Sequence, residues 1–211
     1  MSDQPKSGTR RPYTLRRRLA RLDETKERIT AAAFGLHATI GPSRTTISAI
    51  AERAGVQRHT VYHHFPDLET LFEACTAHGM RVTGIPQAAD WVVIEDPRER
   101  LRRGLTDLYA YYRGNERMLA TILGDAAGSA PPTEPDLFER HMATLYETLV
   151  DPWRKGGDPD LTVTALIAHA MGFDTWRSLT RAGLSDDEAR DLLLNVVVGT
   201  VQGTLSAATS R

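Results

Sequence analysis

The stretch Thr46–Leu71, TISAIAERAGVQRHTVYHHFPDLETL, decides how the chain is read. Ile50, Ala51, Val56 and Val61 are spaced to pack inside a pair of helices, and Gly55 falls where a sharp turn needs a positive φ. Thr45 or Thr46 can cap a first short helix over about residues 46–54. A second runs over about 57–64, until Pro66-Asp67 breaks it. Two short helices around a glycine turn are the geometry that presents the second helix to the major groove of DNA. An α-helix fits that groove, and its side chains reach base edges there.

The exposed side of this second helix is crowded with hydrogen-bonding groups: Gln57, Arg58, His59, Thr60, Tyr62, His63 and His64. Only Val61 reads as core, with Tyr62 straddling. Arg58 can donate two hydrogen bonds to guanine, and Gln57 can pair with adenine if it faces the groove. His59 and His63 stand four apart and share a helix face. Thr60, Tyr62 and His64 can donate to phosphates.

Working outward, a helix pattern begins at Asp23, with Leu22, Ile29, Ala33 and Leu36 on one face, and Gly41-Pro42-Ser43 stops it. Residues 1–20 are polar and basic, without apolar periodicity, and read as a mobile tail that turns helical near Leu15. Asp67 caps a longer helix ending near Gly84-Ile85-Pro86. Asp96-Pro97 opens another, which runs to about Tyr112, followed by a short segment over Glu116–Gly124. Ala126–Pro135 is a loop by composition. A helix from Asp136 to about Lys155 is kinked or ended by Pro152, and Gly156–Pro159 is a turn. Two final helices cover about 160–182 and 185–207, the second entered through the capping box of Ser185 and Glu188.

The expected fold class is all-α: a three-helix helix-turn-helix domain followed by a helical bundle. The domain reading is a basic tail at 1–21, a reader at 22–66 and a larger helical domain at 67–211. Leu161–Phe173 is apolar nearly all round, which predicts burial on several sides. Leu192–Val198 is apolar except for Asn195, and Gly199, Gly203 and Ala207 recur every four residues. A β-strand is the other reading of the valine-rich run. Two such helices predict a homodimer interface, with filling of the monomer core as the alternative.

Charge is divided unevenly. Residues 1–65 hold 12 Lys and Arg against 5 Asp and Glu, whereas 66–211 hold 14 against 22. That asymmetry points to a polyanion partner for the first part. A single cysteine, Cys75, excludes an intrachain disulfide. No signal peptide or membrane span is read, and a cytoplasmic location is expected.

Enzyme readings are weak. His59 and His63 have metal-compatible spacing, but Thr60 stands where a metalloprotease needs glutamate, and no acidic or cysteine ligand lies near. There is no phosphate loop and no nucleophile elbow. Asp125, His141, His169 and Asp174 are scattered without a spacing that selects a reaction. No catalytic residue, metal or cofactor is expected.

The reader resembles the TetR family of dimeric one-component regulators. The resemblance is carried by Ile29…Ala33…Gly41, Thr45-Thr46, Ile50-Ala51, Ala54-Gly55-Val56, Thr60-Val61-Tyr62-His63-His64-Phe65 and Glu69…Leu71, over about residues 23–72. It implies an all-helical homodimer with a divergent ligand-binding domain behind the DNA reader. It also implies base reading by Arg58, His59, Tyr62 and His63, and phosphate contacts from Thr46, Thr60, Tyr62 and His64, with Ser48 near DNA in some members. Two positions depart from the family pattern: Leu68 replaces a common lysine, and His59 a frequent glycine or proline. Arg16–Arg18 either compensate by tracking the DNA backbone or belong to a solvated arm. The expected partners are therefore a double-stranded palindromic operator, a second copy joined through the last two helices, and a small apolar or aromatic effector. The expected effector walls are His169, Phe173 and Trp176, facing His141, Met142 and Tyr146, and the helix from Asp67 to about Thr83 is the expected lever.

Overall fold

The structure, a computed structural model, describes the backbone of residues 10–126, 136–154 and 160–209, and the side chains of 20–125, 136–154 and 160–203. Among the described residues every regular element is helical. The chain forms two compact units: Met1–Gly79 with Thr121–Ser129, and Met80–Ala120 with Ala130–Arg211.

The first unit holds α1 (Arg10–Ile40), α2 (Ile47–Ala54), α3 (Arg58–His64), most of α4 (Leu68–Thr83) and the last turn of α6 (Pro97–Ala126). Its core is Ile29, Ala33, Ile50, Ala51, Val61, Phe65, Leu71 and Cys75. Leu71 and Cys75 lie beyond the expected reader boundary at 66. They pack inside because the first turns of α4 close the core under α3. α1 starts at Arg10 rather than Asp23. Arginine and leucine are good helix formers and sustain the helix there. Leu22 is exposed, and among the described side chains of α1 the first buried one is Ile29.

The second unit holds the end of α4, α5 (Ala89–Val92), most of α6, α7 (Leu137–Val150) with a 3₁₀ turn at Asp151–Trp153, α8 (Leu161–Met171), α9 (Phe173–Arg181) and α10 (Asp186–Thr209). Trp91, Leu101, Leu105, Leu108, Leu145, Leu149, Ile167 and Trp176 fill its core. The α5 turn has no counterpart in the sequence expectation. The two segments expected at 97–112 and 116–124 are one helix with a non-helical residue, Asn115, at φ −126°. The Asn115 side chain donates to the Tyr111 carbonyl at 2.9 Å and so holds the kink. Pro152 ends α7 as a 3₁₀ turn. The loop expected at Ala126–Pro135 falls on residues outside the described ones except Ala126, which is the last residue of α6, and Asp136 opens α7 as its cap. The expected turn at Gly156–Pro159 lies entirely outside the described residues.

The single helix expected over 160–182 is two. Gly172, at ψ 129°, breaks it between α8 and α9. Tyr109 and Tyr112 stabilise the break: their hydroxyls donate to the carbonyls of Ala170 and Met171 at 2.8 and 2.5 Å, groups a helix end leaves without partners. Nor is α8 buried on several sides. Val163, Ile167, Ala170 and Met171 are inside, while Leu161 is 85% exposed. The Leu192–Val198 run is helical, within α10. The capping box at its start forms, with the Ser185 N–H donating to the Glu188 carboxylate and the Glu188 N–H to Ser185 Oγ.

Candidate nucleic-acid interface

The helix-turn-helix is fixed by its caps. Thr46 Oγ1 accepts the Ala49 N–H at 3.2 Å and opens α2. Gly55, at φ 65°, closes it, with the Val56 N–H donating back to the Ala51 carbonyl at 2.9 Å. A side chain in that conformation would be strained, so the glycine is what permits so tight a turn. The Arg28 guanidinium donates to the Gly55 carbonyl at 3.5 Å and ties α1 to the turn.

α3 is anchored by Val61, its one buried residue. Arg58, His59, Tyr62 and His63 are exposed. At 3.6 residues per turn these four lie within an arc of about 140°, turned away from Val61. Thr60 and His64 are half-buried; Thr60 lies about 60° beyond the edge of that face, and His64 lies on the opposite side of the helix, next to Val61. Gln57 is the N-cap residue of α3, exposed, and its side chain makes no capping bond. Among the described residues the Arg58 guanidinium makes no hydrogen bond or ion pair. A helix face whose donors are not spent within the protein is what base and phosphate recognition requires.

His64 differs from its neighbours. Burial first, then the nearby His63 and Lys26, hold it below the ordinary histidine value. It is therefore neutral at pH 7 and offers a neutral N–H. Thr46 and Ser48 are exposed at the start of α2. The Thr46 oxygen is occupied as a cap acceptor, and its O–H remains a donor. Leu68, 68% exposed, offers no charge at the first turn of α4.

The first unit holds two further clusters that the sequence does not announce. His37 Nδ1 and Cys75 Sγ are 3.2 Å apart in the core. Burial pushes the thiol up to about 12, so it stays protonated beside the imidazole. Asp125, one of the scattered acids in the sequence, receives hydrogen bonds from Ser43 and lies beside Gly41. Neither contact has a sequence signal, because the partners are far apart in the chain. Among the described residues no group of three His, Cys, Asp or Glu side chains could hold a metal ion. No described helix is long and apolar enough to cross a membrane.

Of the residues expected to wall an effector pocket, two are core residues of the second unit. Phe173 and Trp176 are buried in an aromatic cluster with Tyr112, at ring separations of 5.4 and 5.8 Å. His169, across the Gly172 break from them, is exposed. His141 donates through Nε2 to the Pro86 carbonyl at 2.8 Å, and Met142 and Tyr146 are half-buried beside it on α7. The second unit also has a cleft of about 490 Å³, lined by Thr83, Ile85, Pro86, Gln87, Asp90, Arg103, Asp107, Tyr111 and Asn115 among others. The helical break at Gly172 turns α9 so that Phe173 and Trp176 fill the core.

Residues 29–75 match the family model for bacterial regulatory proteins of the tetR family. The HTH-type transcriptional repressor Rv3405c of Mycobacterium tuberculosis is 29% identical over 174 residues, 80% of this chain and 81% of that protein. A tetR-family transcriptional regulator from Streptomyces coelicolor has a similar fold, with a TM-score of 0.63 at 21% identity over 89% of this chain and 83% of its own. NalD, the secondary repressor of the MexAB-OprM multidrug efflux pump in Pseudomonas aeruginosa, overlays with a TM-score of 0.55 at 19% identity, covering 83% and 94% of the two chains. The signature residues of the reader, the all-helical fold and these likenesses agree: residues 29–75 form a helix-turn-helix of the TetR-family type, and most of the chain is similar to bacterial transcriptional regulators that carry one.

Proposed function

We propose that the protein is a repressor that binds a palindromic operator as a homodimer and is released by a small effector. The observation that carries the DNA reading is the exposed face of α3, where Arg58, His59, Tyr62 and His63 lie together on the side turned away from the one buried anchor, Val61. Arg58 reads guanine, Gln57, His59, Tyr62 and His63 contact neighbouring bases, and Thr46, Ser48, Thr60 and His64 hold phosphates.

The dimer reading rests on α8 and α10. Leu161, Leu192 and Val196 are exposed apolar residues on helices that pack into the core through one face only, with Val163 and Ile167 on α8 and Ala189, Leu194 and Val197 on α10. A methyl group at Gly199 or Gly203 would meet nothing within 4 Å, so the monomer does not need glycine there. A second copy packed closely on α10 supplies the reason. Two α3 helices about 34–36 Å apart then meet successive major grooves.

The effector reading rests on the cleft, whose volume of about 490 Å³ suits a small molecule. Tyr111, Ile85 and Pro86 offer an aromatic and apolar wall, and Arg103, Asp90 and Asn115 give the effector polar groups to meet. Occupancy acts on DNA affinity only through unequal affinity for the bound and released states. α4, which begins in the reader and ends at the cleft residue Thr83, is the lever.

The test is selection of duplex DNA from a random pool by the purified protein at a stated salt concentration. A palindrome with two equal half-sites is the expected result. Salt-sensitive binding with no enriched sequence rejects the operator reading.

A further inference from the structure

The α1 helix begins well before the core it packs into. Among its described side chains the first buried one is Ile29, and those from Ala20 to Arg28 are exposed except for half-buried Thr25. The helix nevertheless continues back to Arg10. From Arg10 to Arg28 is a reach of about 27 Å at 1.5 Å per residue. Between Arg10 and Leu22 there are six arginines, at 10, 11, 16, 17, 18 and 21, and no carboxylate.

Their order along a helix is not random. Arg10, Arg17, Arg21 and Arg28 fall within about 40° of one line along α1. Glu24 is the one acidic residue close to that line; Asp23 and Glu27 lie off it. The line has a fixed destination, because Arg28 reaches the Gly55 carbonyl in the turn that leads into α3. The ridge of positions therefore runs from the helix-turn-helix outward along α1. Like charges four apart, as at Arg17 and Arg21, oppose a helix by about 0.2–0.5 kcal/mol. A polyanion laid along the ridge removes that penalty.

We propose that the N-terminal half of α1 is a second DNA-binding element, whose Arg10, Arg17 and Arg21 engage phosphates beyond the bases read by α3. This rests on the reading of α3 as the base-contacting helix. The ridge adds affinity and length of contact without sequence preference, since phosphates carry none. It also supplies charge that Leu68 fails to provide at the start of α4.

The experiment compares the full chain with the variant Arg10→Gln, Arg17→Gln, Arg21→Gln. Glutamine keeps helix propensity, and circular dichroism checks that the fold is kept. Affinity for a mixed-sequence duplex is measured across a series of salt concentrations, and both proteins are put through selection from a random pool. The expected result is a shallower slope of log affinity against log salt, by about 0.9 for each phosphate no longer neutralised and so by about 3 per protomer. The selected sequence should be unchanged. An unchanged slope overturns the proposal, and so does a loss confined to binding of phosphatidylglycerol vesicles, which would make the ridge a membrane-surface element. Arg58→Ala is the reference: if it relaxes the selected sequence while the triple variant keeps its slope, only the ridge proposal fails. If Arg58→Ala changes nothing, the reading of α3 fails instead.

Discussion

Asp125 and Ser43, 82 positions apart in the chain, are joined by two hydrogen bonds of 2.6 Å, because the Ser43 N–H and hydroxyl both donate to one carboxylate. The last turn of α6 is thereby fastened to the loop between α1 and α2. The bonds from the Ser43 side chain and backbone, aided by Arg44 and His37, hold Asp125 below the ordinary aspartate value of 3.8. A depressed carboxylate contributes stability that is present above its unfolded pKa and is lost as pH falls through the folded one. Asp125→Ala should therefore lower the thermal midpoint at pH 7, and the gap to the parent should close as the solution is acidified below pH 3.8. Thermal unfolding of both proteins from neutral pH down into that acid range checks this; a gap that persists unchanged in acid would sink it.

His37 gives a slope at a different pH. Burial lowers its pKa below 6.5, against an opposing pull from Asp125. The unfolded chain then binds a proton that the folded one refuses. The contribution is complete above pH 6.5 and is lost as pH falls from there toward the folded value. The slope from this one group is at most about 1.4 kcal/mol per pH unit. His37→Gln should flatten the fall in denaturant midpoint between about pH 7.5 and about pH 5 relative to the parent. His64, also depressed, is left in place in both proteins, so its share cancels in the comparison.

On α3 the two kinds of contact should separate. Arg58→Ala should cost about 1–3 kcal/mol on the selected operator and relax preference at one base position of each half-site. His64→Ala should weaken binding to all duplexes alike, because a phosphate contact carries no sequence information. Fluorescence anisotropy with the selected duplex and with single-base variants reads both. If His64→Ala changes preference and Arg58→Ala does not, the orientation given to α3 is reversed.

Leu192 and Val196 are one turn apart on α10, 45% and 42% exposed. Leu192→Glu with Val196→Glu should leave the monomer folded and convert the dimer to monomer in sedimentation velocity. Operator affinity should fall with it, since each half-site would then bind singly. A variant that sediments as the parent does would rule out this face as the interface.

The reader is legible in the sequence because local and tertiary demands coincide there. Thr46 and Gly55 mark the two ends of α2 through capping chemistry that depends on neighbours only a few residues away. Val61 stands out because every residue around it on α3 is polar. The second unit offers less. Gly172 breaks a helix that periodicity makes continuous, since the break is stabilised by Tyr109 and Tyr112 from a remote helix, and no local pattern announces that. His169, Phe173 and Trp176 share a helix face only if the helix is unbroken, and Gly172 places them on two helices. The start of α1 is hidden differently: a basic stretch without apolar periodicity reads as a tail, whereas arginine and leucine sustain a helix without needing that periodicity.

Cys75 is the only cysteine in the chain, 3% exposed in the core of the DNA reader, with its thiol pushed up to about 12. Thiol reagents attack the thiolate, a form the folded reader scarcely offers at any pH near neutrality. Labelling must wait for the core around α1 and α4 to open, so its rate is a clock for that opening. The protein thus carries its own reporter. Whatever closes the reader more tightly, operator DNA included, should slow the clock, with no probe introduced from outside.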